Sequence, residues 1–147
     1  MNARLTDQEI ASFRDALRGY EPAQEVLDSL QNHQGDFEAS FNDFARQRFG
    51  DRQTFDGDES SWQNTLEKLR EEICGDEGLR KKIKELEENP HSKVIFEILV
   101  GLILLKALAL GILLDASVAT IIILYLFKVG PDLFCRAIGQ PPPPDAT

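Results

Sequence analysis

Four ionisable residues, Glu97, Lys106, Asp115 and Lys128, stand isolated in an otherwise uncharged stretch of 37 residues from Val94 to Gly130. A charge in such a setting lines a polar path, pairs with an opposite charge on a neighbouring helix, or stretches its stem to an interface. Glu97 and Lys106 are nine residues apart. At about 100° per residue they fall on opposite faces of one helix, so neither can neutralise the other within it. Any pairing runs to a second helix or a second copy of the chain. Asp115 begins the break Asp115-Ala116-Ser117, where a charge is cheapest.

Elsewhere the chemistry-bearing residues are sparse. His33 and His91 have no Cys, His or carboxylate at ligand spacing, so no metal site is expected. The loop from Asp51 to Glu59 resembles a calcium loop only at Asp56-Gly57. With Gly57 at the obligatory sixth position, Arg52 and Thr54 occupy the first two ligand places and Gln63 replaces the closing Glu. Neither a phosphate-cradling glycine loop nor a nucleophile elbow is present. Cys74 and Cys135 form no CxxC and lie far apart, which favours two reduced, packed thiols in a reducing cytoplasm over a disulfide. Cys74 also ends a helical stripe beside acidic residues, where its thiolate is disfavoured. No catalytic residue, metal ion or cofactor is expected, and the chain reads as a non-enzyme.

Charge divides the chain. Residues 1–93 hold 13 Lys/Arg against 21 Asp/Glu, a net of −8, whereas residues 94–147 hold 3 against 4, a net of −1. An acidic front excludes phosphate-backbone binding, and the short Arg80-Lys81-Lys82-Ile83-Lys84 run is followed at once by Glu85, Glu87 and Glu88. Nucleic acid is therefore not an expected partner.

The elements that position these residues are short amphipathic helices. Thr6 and Glu9 form a capping box, with Leu5 placed to staple onto Ile10. Ile10, Phe13 and Leu17 share a face, and Gly19 closes it. Glu21-Pro22 starts a second helix carrying Val26, Leu27 and Leu30. Phe37, Phe41 and Phe44 recur at helical spacing after Gly35-Asp36. Ser60 to Gln63 repeats the capping pattern, and Trp62, Leu66, Leu69 and Ile73 follow as one stripe. Leu79, Ile83 and Leu86 mark a fifth helix before Asn89-Pro90. Phe37, Phe41, Phe44 and Trp62 are candidates for core packing or for an interaction surface. The expected fold is all-α, with about five short helices in residues 1–90.

From Val94 onward the pattern changes. A helix that is apolar all round needs full enclosure, and a 37-residue run exceeds one core helix. The expectation is a transmembrane helical hairpin in residues 91–131, with spans at 94–111 and 116–130 and a Pro-rich tail at 132–147. Such spans are short, so thinning of the bilayer or snorkelling must make up the length. Lys81, Lys82, Lys84 and Lys93 precede the pair, Lys128 and Arg136 follow it, and the turn carries only Asp115. That bias places both termini in the cytoplasm, at the cell inner membrane, with Glu97, Lys106 and Asp115 as embedded or interfacial charges. Pro141 to Pro144 should extend as polyproline II.

Two resemblances follow from particular residues. Trp62-Gln63-Asn64-Thr65-Leu66 through Cys74-Gly75-Asp76-Glu77-Gly78, with Ala119-Thr120-Ile121-Ile122 and Leu133-Phe134-Cys135, resembles a group of small uncharacterised cyanobacterial proteins. Those join a helical front to two apolar segments. Leu5-Thr6-Asp7-Gln8-Glu9 to Leu17, with the acidic helices behind it, is similar to the death-like, effector-associated adaptor domains of bacterial conflict systems. That likeness implies homotypic recruitment and adaptor or effector roles.

The functional expectation is thus a membrane-anchored interaction or adaptor protein that contacts lipid and a protein partner. In its sharper form it is a membrane-perturbing defence effector. The rival is a soluble homo-oligomeric structural protein that buries residues 94–130 between copies.

Overall fold

In a computed structural model the described residues are 3–49, 61–112 and 114–137, and they form eight helices and no strands. These are α1 (Asp7–Ala16), α2 (Glu21–Asn32), α3 (Phe37–Phe49), α4 (Ser61–Cys74), α5 (Glu77–Glu88), α6 (Lys93–Leu110), α7 (Ala116–Val129) and α8 (Pro131–Ala137). The Asp51–Glu59 loop, the Ser60 cap and the Pro141–Pro144 tail lie outside the described residues.

Local chemistry accounts for the helix ends. The Glu9 amide donates to Thr6 Oγ1 at 3.1 Å and the Thr6 amide donates to Glu9 Oε1 at 2.9 Å, which closes the capping box of α1. Gln24 Nε2 donates to the carbonyls of Arg14 and Leu17 at 3.1 and 3.0 Å, so α2 satisfies the open end of α1. Between α2 and α3, Gly35 at φ 82° accepts the Leu5 amide at 3.1 Å. The Leu5 backbone passes so close that a Cβ at position 35 would strike it, and only glycine meets both demands. Asp76 caps α5 through the Leu79 amide at 3.0 Å.

The five amphipathic helices α1–α5 wrap the apolar run. α7 is the hub, in contact with α2, α3, α5, α6 and α8. Every residue from Ser117 to Leu124 is buried, as is Leu126. A helix apolar on all sides has thus found enclosure inside its own chain. Phe37, Phe41, Phe44 and Trp62 are all buried. Phe37 and Trp62 lie edge-on to the Tyr125 ring at 5.5 and 5.2 Å, and Phe41 packs on Trp62 at 5.1 Å.

This architecture overturns the transmembrane hairpin. The two expected spans do form helices, but among the described residues no helix is long and apolar enough to cross a membrane. α7 has 14 residues, well under the roughly 20 a span requires. α6 has 18 but includes Lys93, Glu97 and Lys106. The turn between them is not a lipid-facing tip either: Arg48 of α3 donates from Nε to Asp115 Oδ2 at 2.8 Å. The inner-membrane location, and with it the two-span topology, lose their basis. The physical reason is that five amphipathic stripes each needed an apolar partner, and α7 serves several of them at once.

Candidate functional site

α6 is half core and half surface. Ser92 caps its start by accepting the Ile95 amide at 3.2 Å. Gly111 at φ 72° ends it, with Gly111 N donating to Leu108 O at 3.2 Å and Ile112 N to Ala107 O at 2.9 Å, the paired bonds of a Schellman closure. The inward residues Phe96, Leu99, Val100, Ile103 and Ala107 are buried. Phe96 meets Phe13 at 6.3 Å, and Phe13 in turn packs edge-on against Phe127 of α7 at 4.9 Å.

Two lysines fix the helix in rotation. Near its start, Lys93 Nζ donates to the Arg18 carbonyl at 3.1 Å. Further along, Lys106 Nζ lies 2.9 Å from Asp76 Oδ2 and 3.8 Å from Glu72 Oε1. Hydrogen bonding to the Leu79 amide, then the bond to Lys106, holds the Asp76 carboxyl below its ordinary value. The same Asp76 contact, reinforced by the charges of Asp76 and Glu72, raises Lys106 against the opposing effect of burial. Lys106 is thereby a structural strut at the α4–α5 corner.

With its inner face docked and both lysines tethered, α6 turns one apolar stripe to solvent. Val94, Ile98, Leu105 and Leu108 are 69, 44, 63 and 77% exposed, and Gly101 is exposed between them. Their separations of four, three, four and three residues are those of a heptad seam. A Cβ placed on Gly101 would meet nothing, so the stripe carries a recess at its middle. Glu97 is exposed beside the stripe. Its charge helps raise the Tyr20 hydroxyl, behind the larger effect of burial.

The other singled-out charges have structural partners. Asp115 Oδ1 accepts the Val118 amide at 2.9 Å and so caps α7, while its second oxygen takes Arg48. Arg48 also reaches Glu25 at 3.3 Å and Ser117 Oγ at 3.4 Å, and its guanidinium lies 5.2 Å from the Phe44 ring centre. Lys128 Nζ donates to Glu9 Oε1 at 2.9 Å. Burial raises Glu9, but the bonds from Lys128 and Thr6 outweigh it and leave the carboxyl lowered. His33 Nε2 lies 2.6 Å from Asp43 Oδ2.

The cysteines depart from expectation. Cys74, at the end of α4, and Cys135, in α8, are joined in a disulfide with Cα atoms 5.9 Å apart. The bond pins α8 so that Phe134 is buried, 6.3 Å from the Tyr125 ring. Spacing alone carries no information about such a pair.

Among the described residues no group of three or more His, Cys, Asp or Glu is placed to hold a metal ion. An open depression of about 550 Å³ lined by Arg4, Leu5, Thr6, Asp7, Gln31 and Gln34 offers no nucleophile beside a base. The α6 stripe was invisible in the sequence because, Glu97 and Lys106 apart, the neighbouring positions are apolar too; only the 4-3-4-3 spacing, read against a known core face, separates it. No family model, curated protein or solved structure matches the chain, so its role rests on its own geometry.

Proposed function

We propose that the chain is a non-enzymatic interaction protein whose contact surface is the outward face of α6, and that it works as a homo-oligomer. The observation that carries this reading is the division of the apolar run: α7 is consumed by the protein's own core, whereas α6 leaves a continuous apolar stripe uncovered. Single exposed leucines are ordinary on protein surfaces, but a contiguous row along one rigid helix is the mark of a contact site. Of the two functions expected from the sequence, the homo-oligomer is the better supported. It needs α6 alone, since residues 116–130 are occupied within the chain.

Sedimentation velocity in detergent-free buffer tests this reading. The wild-type chain should show a concentration-dependent mass above the 16.5 kDa of one copy. Leu105→Glu with Leu108→Glu should return it to a single copy without loss of helix content. A wild-type mass of one copy at every concentration, unchanged in the double variant, removes the homo-oligomer.

A further inference from the structure

We infer that two copies pair through α6 in antiparallel register, with Leu105 of each seated in the recess over Gly101 of the other. The inference rests on the reading of the α6 face as a self-association surface and fixes its geometry.

Area sets the first condition. Taking a fully exposed Leu or Ile as roughly 190 Å², the exposed shares of Val94, Ile98, Leu105 and Leu108 give each copy roughly 450–500 Å² of apolar stripe. With Gly101, Ala109 and the flanks of Leu102, Leu104 and Ile112, two faces hide roughly 1,000 Å² or slightly more, the threshold for a specific interface. The stripe follows an 18-residue helix of about 27 Å, so one helix of equal length covers it end to end. A second α6 has that length, that chemistry and that seam.

Steric fit sets the register. The 4-3-4-3 spacing is that of two helices crossing at about 20° with interleaved side chains. In a parallel, in-register pair, Gly101 would face Gly101 of the second copy. That leaves a void between a bulky Ile98 layer and a bulky Leu105 layer. In the antiparallel pair, Gly101 faces Leu105, Ile98 faces Leu108, and Val94 faces Ile112 just past the helix end. Each pairing occurs twice about the two-fold axis, the Gly101–Leu105 layers combine a filled and a receiving position, and the remaining layers pair apolar side chains. The arrangement is isologous, so it closes at two copies. It also opposes the two helix dipoles, which favours it further. Glu97 stays at the rim, where it remains hydrated.

Cysteine cross-linking tests the register, with Cys74 and Cys135 left in their native bond. Gly101→Cys and Leu105→Cys are made in separate full-length chains and oxidised mildly, alone and mixed. Antiparallel pairing predicts at least tenfold more covalent dimer from the mixture than from either variant alone, because position 101 approaches only position 105 of the other copy. Abundant covalent dimer from each variant alone means parallel pairing and overturns the inference. No covalent dimer in any sample, while wild-type sedimentation still exceeds one copy, also overturns it but leaves self-association standing. A wild-type chain that stays single overturns both. Gly101→Leu supplies an independent arm that does not depend on oxidation. The open space around Gly101 accepts the side chain in the monomer, so thermal stability should hold or rise. Filling the recess should weaken self-association at least tenfold, and unchanged association refutes the Gly101–Leu105 layer.

Discussion

Truncating one leucine in each helix of the apolar run separates a protein core from a lipid-facing hairpin. Leu124 of α7 is 0% exposed, whereas Leu108 of α6 is 77% exposed. Leu124→Ala removes buried methyl groups and leaves a cavity that five surrounding helices cannot collapse, so the loss should be about 3–4 kcal/mol. Against a total stability of ~5–15 kcal/mol that is a large fraction, and it corresponds to a fall in Tm of roughly 10 °C for a chain of this size. Leu108→Ala removes little buried surface and exchanges one good helix former for another. Its cost should stay within about 0.5 kcal/mol when monomer dominates. Urea unfolding in detergent-free buffer, followed by circular dichroism at low protein concentration, measures both. A Leu124→Ala loss below about 1 kcal/mol, or equal losses at the two positions, would refute the burial argument, because a lipid-facing pair responds alike at both sites.

Three further outcomes follow from the charged and covalent contacts. The Asp76 carboxyl is depressed, so its contribution is complete above the ordinary Asp value and is lost as pH falls through its lower folded value. Wild type should therefore lose more stability than Asp76→Asn between about pH 4 and pH 2, read as urea midpoints. Opening the Cys74–Cys135 bond, which spans 61 residues, should cost up to about 4 kcal/mol by released chain entropy. Thermal melts with and without reductant check this, with Cys74→Ser plus Cys135→Ser insensitive to reductant. Arg48→Ala frees Asp115 and Glu25 and uncovers Phe44, for an expected loss of about 1–2 kcal/mol by urea unfolding. Arg48→Lys should recover only part of it, since one ammonium cannot serve Asp115, Glu25 and Ser117 in the fork geometry.

Local signals carried most of the helix pattern. The Thr6–Glu9 box, Pro22 at a helix start and the chain reversal at Gly19 all act over a few residues, and the structure has each of them. The stripe Trp62, Leu66, Leu69 and Ile73 is buried as its spacing implied. What composition could not convey is who covers whom. Uniform apolarity in α7 looks the same whether lipid or protein surrounds it. The deciding contacts, Arg48 to Asp115 and Lys106 to Asp76, join residues 67 and 30 positions apart. Their partners look like ordinary surface charges in the sequence. The disulfide belongs to the same class, since its two ends meet only after α4 and α8 are packed. The exposed α6 stripe was hidden for the opposite reason, being apolar among mostly apolar neighbours.

Amide hydrogen exchange of the wild-type chain in plain aqueous buffer, resolved by peptide, reads the enclosure of α7 most directly. Amides from Ser117 to Leu126 should be the slowest in the molecule, exchanging only with global unfolding, and added neutral phospholipid vesicles should leave them unchanged. Fast exchange across α7 in buffer, with protection appearing only when vesicles are present, would contradict the account.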